Sequence, residues 1–280
     1  MDSRFSIVLP VKNELELLRS SLASCYAVAP DEVVVCLDDP PDVAVLNEVK
    51  RVSKRCGSID RTRIISVARN REYRSHLAWI TRQGFLNASY DRILSVDADL
   101  ILNRNVHKAL SCVGGNNVGY ASCTTMYPVT DSLSFFRAVV HGLVTRFRPP
   151  PLTGLYALWR PYWLDSEDAG IKLLEYTLES VVRGSMVVIG QDTYLLNCMK
   201  AKHRAIHLRK VGAYSMRPYH NLAKHTQYEL GRYYAASGRR FGEVLLKSVA
   251  LLQPYLLVGY SDQKTKPSEI PIFDPDTFPF

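Results

Sequence analysis

Short apolar runs alternate with longer amphipathic stretches along the first hundred residues. The apolar runs have strand length, are rich in Val, Ile and Leu, and lie at residues 5–11, 32–37, 63–67 and 92–101. The stretches between them carry helical spacing and lie at residues 15–26, 43–56 and 76–88. This alternation predicts an α/β fold with a mostly parallel central sheet, right-handed crossovers and helices on both faces.

The second half of the chain is less regular. Strand-like runs recur at residues 119–125, 153–159 and 205–216, and a helix is expected from residue 191 to about residue 202. Beyond residue 222, aromatic and basic residues recur at helical spacing, and the last twenty residues are rich in Pro and Asp. We expect a domain with two halves, a helical extension and an extended tail, at residues 1–103, 104–220, 221–260 and 261–280.

Polar clusters follow three of the predicted strands, at residues 12–14, 38–42 and 97–99. Ligands of parallel sheets bind beyond the carboxyl ends of the strands, so three such clusters predict one acidic, concave site. On an extended strand Asp97 and Asp99 share a face, and both carboxylates then reach one divalent cation. The alternative for each cluster taken alone is an ordinary solvated turn.

The formal charge of +8 favours an anionic partner, which includes nucleic acid, a lipid surface or a phosphorylated small molecule. Neither type of glycine-rich phosphate loop occurs in the sequence, so a diphosphate would be held by a metal ion and by Arg or Lys. Arg74, which precedes the helix beside the acidic strand, is a candidate because its guanidinium matches phosphate oxygens. A solvated helix entry is the alternative.

The six cysteines form no Cys-x-x-Cys pair, which favours neither a zinc site nor a disulfide framework and indicates a reducing compartment. No uninterrupted apolar run reaches the about 20 residues that span a bilayer. We expect a cytoplasmic protein, either soluble or peripheral on the cytoplasmic face of a membrane.

Three segments in order, FSIVLPVKNE, VVVCLDDPPD and RILSVDADL, resemble the nucleotide-binding half of the family 2 inverting glycosyltransferases, which have a GT-A fold. The resemblance covers roughly residues 5 to 215. It implies that Asp97 and Asp99 bind Mn²⁺ or Mg²⁺ and that a nucleoside diphosphate sugar is the donor. The residues expected to bind that nucleotide sugar, with Arg74 among them, are Pro10, Lys12, Asn13, Glu14, Asp38, Asp39, Asp97 and Ala98.

The segment Gln191 to Leu196 resembles the family's Glu-Asp-x-x-Leu element, whose Asp is the catalytic base. The resemblance assigns that role to Asp192, and a helix-capping role is compatible with it. Gln191 departs from the usual Glu. Ile101 is a second departure, because some relatives that act on lipid phosphates carry Gln there.

Two further features of the family concern the acceptor and the metal. The strand containing Gly154 and followed by Arg160 resembles one that lies along the acceptor site. A histidine after the last strand completes the metal site in many GT-A enzymes, which makes His220 or His225 a candidate third ligand. An ordinary surface histidine is the alternative for both.

These features predict a metal-dependent glycosyltransferase of the hexosyltransferase type that inverts the sugar and uses a carbohydrate or lipid-linked acceptor. A nucleotidyltransferase that makes a nucleotide sugar is an alternative. A non-catalytic module that binds carbohydrate or nucleic acid is another, although the carboxylate clusters argue against a nucleic-acid partner.

The helical extension has three candidate partners. Its basic and aromatic residues suit an anionic membrane surface, and the same pattern suits a second subunit in a homo-oligomer or packing on the catalytic domain.

Overall fold

The computed structural model describes the chain in segments. These are residues 4–11, 15–69, 76–128, 135–136, 139, 154–166, 199–200, 202–217, 227–228, 231–232, 234–235, 240–250 and 253–265. The chain divides into two compact units. The first unit comprises Met1–Pro128, Pro150–Ile171 and Gly190–Arg217, and the second comprises Val129–Pro149, Lys172–Ile189 and Pro218–Phe280. The predicted division at residue 220 stays a prediction.

Strands and helices alternate in the first hundred residues of the first unit, as the apolar pattern predicts. They are β1 (Phe5–Pro10), α1 (Leu15–Ala27), β2 (Glu32–Asp38), α2 (Val43–Arg55), β3 (Thr62–Val67), α3 (His76–Asn87) and β4 (Arg92–Val96). β1, β2 and β4 are buried along almost their whole length, because helices cover both faces of the sheet. β3 is half-exposed, as expected of a strand at the sheet edge.

The remaining elements of the first unit are β5 (Leu100–Leu102), α4 (His107–Cys112), β6 (Val118–Met126), β7 (Leu155–Trp159) and β8 (Arg204–Ser215). They complete an eight-stranded sheet in the order β3-β2-β1-β4-β7-β6-β8-β5. β1 to β4 run parallel, whereas β7 runs antiparallel to both of its neighbours. The fold is therefore a mixed α/β sheet whose parallel half is the half that the sequence predicts most clearly.

The acidic strand ends earlier than the sequence predicts. β4 stops at Val96, and the chain turns through Asp97, Ala98 and Asp99. β5 then begins beside β8, at the edge of the sheet opposite β3. The extended geometry that would place Asp97 and Asp99 on a common face is therefore absent here, and the turn, which the sequence offers as the alternative, is the conformation observed. A turn brings the two carboxylates to the same end of β4 instead.

β8 follows β6 with an irregularity that bends it. Cys123 pairs with Leu208 and the next residue of β6, Thr124, pairs with Gly212, so three residues of β8 lie outside the register. A Cβ on Gly212 would lie 2.0 Å from the Thr124 carbonyl oxygen, and only glycine permits this approach. The bend lets the end of β8 pair with β5 as well as with β6.

Two helices, α5 (Phe241–Ala250) and α6 (Tyr255–Thr265), belong to the second unit. Tyr234, Val244, Leu256 and Tyr260 are among the buried residues of its apolar cluster. Glycine allows close backbone contact here, because a Cβ on Gly231 would lie 2.1 Å from the Leu256 carbonyl oxygen. Within the part of the chain that the structure describes, every helix is too short or too polar to span a membrane.

Candidate functional site

Three segments meet where β4 ends. The Asp97 backbone N–H donates to the Gly154 carbonyl (2.8 Å), and the Met216 N–H donates to the Asp99 carbonyl (2.8 Å). The turn that carries the acidic residues is thus tied to the start of β7 and to the end of β8. Asp97 and Asp99 are half-buried, and Ala98 between them is buried.

Gly154 provides the seat of the Asp97 carboxylate. A Cβ built on Gly154 would lie 1.6 Å from Asp97 Oδ2 and 2.2 Å from its Cγ. Any side chain at this position would push the carboxylate away. The sequence relates the strand after Gly154 to the acceptor, but no local pattern in it reveals this contact with Asp97.

A guanidinium also reaches this end of the sheet. Arg217 follows β8 directly, and its Nε lies 3.8 Å from Asp99 Oδ2. The Arg217 backbone N–H donates to Ser215 Oγ (3.2 Å), and Ser215 Oγ–H donates to the Arg217 carbonyl (2.9 Å). Sequence reasoning did not single out Arg217. Its position as the first basic residue after the last strand is the signal that would have identified it.

The other acidic strand end borders a small pocket. A cavity of about 190 Å³ lies beyond β1 and β2 and is lined by Val11, Leu37, Asp38, Pro40, Pro41, Asp42 and Val45. Pro10, the last residue of β1, is buried and pairs with Cys36. Apolar walls with a carboxylate at the rim suit a flat heterocycle that carries N–H groups.

The two remaining carboxylates of this strand end differ from Asp38. Asp42 caps α2, because its Oδ1 accepts from the backbone N–H groups of Ala44 (2.7 Å) and Val45 (3.3 Å). Asp39 is exposed beside the pocket, and its own N–H donates to the Val67 carbonyl (3.2 Å). The predicted contacts of Asp38 and Asp39 with a nucleobase stay predictions.

Seven of the predicted site residues lie outside the described residues: Lys12, Asn13, Glu14, Arg74, Asp192, His220 and His225. Their roles stay predictions. The structure brings together Pro10, Asp38, Asp97, Ala98 and Asp99, in the sense that all lie at the carboxyl ends of β1, β2 and β4, three neighbouring parallel strands.

Arg160 lies at the other end of the sheet. β7 runs antiparallel to β4, so Leu155 pairs with Val96 and Trp159 pairs with Arg92. The Arg160 guanidinium donates to Asp91 Oδ1 through Nη2 (2.8 Å) and Nε (3.2 Å), and its Nη1 donates to the Ala88 carbonyl. Of the strand that resembles the family's acceptor-site strand, only the glycine end therefore lies at the acidic turn.

The acidic turn is the candidate site for a divalent cation. Among the residues that the structure describes, no three His, Cys, Asp or Glu side chains gather as a metal-binding group. Asp97 and Asp99 supply two carboxylates, and a hard cation held by one or two carboxylates takes its other ligands from water and substrate phosphates. The donor set fits Mn²⁺ or Mg²⁺ that binds together with a diphosphate.

Comparison with known proteins identifies the fold. No protein-family model and no curated protein matches the chain. Among solved structures, it resembles a mannosyltransferase from Pyrobaculum calidifontis in complex with GDP-mannose and Mn²⁺ (16% identity, 96% of this chain and 76% of that chain, TM-score 0.55). It also resembles residues 1–349 of TarS from S. aureus (13% identity, 96% and 75%, TM-score 0.53). At such identities the likeness shows the fold, which is of the GT-A type as the sequence predicts.

Proposed function

We propose that this protein is a metal-dependent glycosyltransferase that moves a sugar from a nucleoside diphosphate sugar to an acceptor hydroxyl with inversion. The observation that carries the proposal is the common location of the Asp97–Asp99 turn and the pocket at Asp38. Both lie at the carboxyl ends of neighbouring parallel strands, where α/β sheets bind their ligands. A structural neighbour of the same fold is complexed with GDP-mannose and Mn²⁺, which supports this class of donor.

The donor would extend from the pocket to the acidic turn. Its base occupies the cavity beside Asp38 and Asp39, and Pro10 with residues 12–14 lines the nucleoside. Its diphosphate lies at Asp97 and Asp99. Arg217, 3.8 Å from Asp99, and Arg74 contribute guanidinium groups, whose planar forks match phosphate oxygens.

Asp97 and Asp99 would hold the divalent cation, with His220 as the candidate third ligand. When bound, the ion acts as a Lewis acid that stabilises charge on the diphosphate leaving group. Gly154 keeps the Asp97 carboxylate in place by leaving room for it. Arg217 adds a fixed positive charge near the diphosphate oxygens.

Asp192 would act as the general base. Its carboxylate accepts the proton of the acceptor hydroxyl while that oxygen attacks the anomeric carbon from the face opposite the diphosphate. The new C–O bond forms as the bond to the diphosphate oxygen breaks, so the sugar inverts. The acceptor is a carbohydrate or a lipid-linked molecule.

The test has two stages. UDP-, GDP- and dTDP-sugars are first ranked by the rise in melting temperature that each causes in the presence of Mn²⁺, because a ligand that binds only the folded state stabilises it. The best donor is then incubated with candidate acceptors and the released nucleotide is identified. Release of nucleoside diphosphate supports sugar transfer. A parallel incubation contains a nucleoside triphosphate and a sugar 1-phosphate instead, and pyrophosphate release there would assign the site to nucleotidyl transfer. Salt-sensitive polynucleotide binding without any turnover would favour the non-catalytic module.

A further inference from the structure

Helix α5 of the second unit presents an apolar face to solvent. Four large apolar side chains on it are exposed, namely Phe241 (52%), Leu245 (40%), Leu246 (68%) and Val249 (61%). At 100° per residue these positions, with Gly242 between them, cover an arc of about 140° without a polar residue. We name this set of five residues the α5 arc. Burying apolar side chains is the usual source of helix stability, so an exposed arc of this width indicates a partner.

The opposite side of α5 already has its packing partners. Val244 is buried in the cluster with Tyr234, Leu256 and Tyr260, and the buried Ser248 Oγ–H donates to the Gln253 carbonyl (2.8 Å). The helix is therefore attached to its unit through one face. Phe241, at one edge of the α5 arc, also contacts the Tyr260 ring (centroids 5.9 Å apart), whereas Leu245, Leu246 and Val249 do not belong to that cluster.

The concentration of exposed apolar side chains distinguishes the second unit. Eight of its described residues are exposed large apolar ones, against nine in the first unit, although the first unit has roughly four times as many described residues. Scattered single exposures are normal on any protein surface. Four of the eight lie on α5, which is where they form a continuous group among the described residues.

Charge indicates the kind of partner. Arg239 and Arg240 precede α5, at the end of a helix where the dipole disfavours cations. The Arg240 charge therefore does not stabilise the helix, but it lies directly before Phe241, where it can meet negative charges. Arg239 precedes it in the sequence and lies outside the described residues. A single acidic residue, Glu243, lies in the first turn of α5.

The size of the arc separates a lipid surface from a second copy of the chain. A helix of ten residues is about 15 Å long and about 10 Å wide, so one face of it covers on the order of 150 Å². That is far less than the about 800 Å² per partner of a stable protein interface. Insertion into a bilayer surface needs only one apolar helix face and adjacent basic side chains. The geometry points to the α5 arc as a binding site for an anionic membrane surface.

The experiment measures co-sedimentation of the full chain with two kinds of vesicle. One is pure phosphatidylcholine, and the other contains equal parts of phosphatidylcholine and phosphatidylglycerol. We expect binding to the anionic vesicles, weakened about tenfold or more by Leu246→Gln with Val249→Gln. Leu86→Gln with Leu164→Gln, which removes two exposed leucines of the first unit, is the matched control and should bind as the unmodified chain does.

Charge is tested separately. Arg239→Gln with Arg240→Gln should weaken binding to the anionic vesicles about tenfold and leave binding to neutral ones unchanged. All variants alter exposed or sequence-flanking positions, and equal circular dichroism spectra check that they fold. Two outcomes would overturn the proposal: the unmodified chain binds neither kind of vesicle, or light scattering shows a dimer that the Leu246 and Val249 substitutions dissociate. The assay uses no sugar donor, so its result is independent of the proposed transferase activity.

Discussion

Asp91 and Asp97 flank the same strand, β4, and each meets an end of β7 in a different way. Asp91 accepts two hydrogen bonds from Arg160, the residue after β7, while Asp97 is seated against Gly154, the residue before it. One carboxylate joins a guanidinium that also donates to the Ala88 carbonyl, so its charge serves to hold the chain together. The other carboxylate packs against a glycine, and its proposed partner is a divalent cation. Residue type does not separate the two, whereas strand direction does, because ligands bind beyond the carboxyl ends of parallel strands.

The largest effect is expected from the proposed base at the ligand-binding end. Asp192→Asn should lower the turnover number by a factor of about 10² to 10⁴, because an amide cannot take the acceptor proton. Affinity for the nucleotide sugar, measured by calorimetry, should stay nearly unchanged. Turnover close to that of the unmodified chain would remove Asp192 from the mechanism.

The next largest effect is expected from a carboxylate at the carboxyl end of β4, with a carboxylate at the other end as its comparison. Asp99→Ala should weaken Mn²⁺-dependent nucleotide binding about a hundredfold, since even outer-shell partners of a metal contribute up to that much. Asp91→Ala is the control, because it removes an equal charge at the opposite end and should leave that affinity unchanged. Equal losses in the two variants, or no loss in either, would contradict the assignment of the metal to the carboxyl end.

Gly154→Ala tests whether nucleotide binding depends on the position of the Asp97 carboxylate. The new methyl group would overlap Asp97 Oδ2, so the carboxylate must move and Mn²⁺-dependent nucleotide binding should weaken about tenfold. Gly115→Ala is a matched control, because no atom lies within 4 Å of the Cβ that it adds. Titration with nucleotide in Mn²⁺ and in a chelator separates the metal-dependent part of the affinity. An unchanged affinity in Gly154→Ala would show that nucleotide binding does not depend on the position of the Asp97 carboxylate.

Much of the parallel half was predictable from local pattern alone. β1, β2 and β4 are buried on both faces, so their residues form continuous apolar runs that stand out in the sequence. The sequence offers a turn at Asp97 to Asp99 only as an alternative, and it does not reveal how that turn is held, because the hydrogen bonds involve Gly154 and Met216, far along the chain. β5 has three residues, and so short a run does not indicate which strand it will join. Similarly, α4 is too short for a helical period to be recognised.

A smaller effect, on stability, is expected from the arginine end of β7. Arg160→Met removes the hydrogen bonds to Asp91 and to the Ala88 carbonyl, and should lower the free energy of unfolding by about 1 kcal/mol. Nucleotide affinity should not change. Arg217→Met is the converse test, because it should weaken nucleotide binding without a comparable loss of stability. Urea denaturation measures the stability of both variants, and calorimetry measures their nucleotide affinity. A loss of affinity in Arg160→Met, or a loss of stability alone in Arg217→Met, would contradict these roles.

The smallest effect concerns pH and the contact between β6 and β8. His207 on β8 has Nδ1 2.9 Å from Ser122 Oγ, and Nε2 lies 3.5 Å from Thr124 Oγ1. Burial, with a smaller contribution from the positive charge of Arg209, lowers the pKa of His207 below its ordinary value of 6.5. The neutral imidazole is therefore the form that the fold favours.

Because the unfolded chain takes up this proton at a higher pH than the folded one, the stability associated with His207 is complete above about pH 6.5. It is lost progressively as the pH falls from there through the folded-state pKa. His207→Gln, which keeps a polar side chain but does not titrate, should flatten the fall in melting temperature between neutral and mildly acidic pH. Ser122→Ala is the companion variant, because it removes a hydroxyl partner and leaves the titrating ring in place. If His207→Gln and the unmodified chain lose melting temperature in parallel over this range, protonation at another group causes the acid sensitivity.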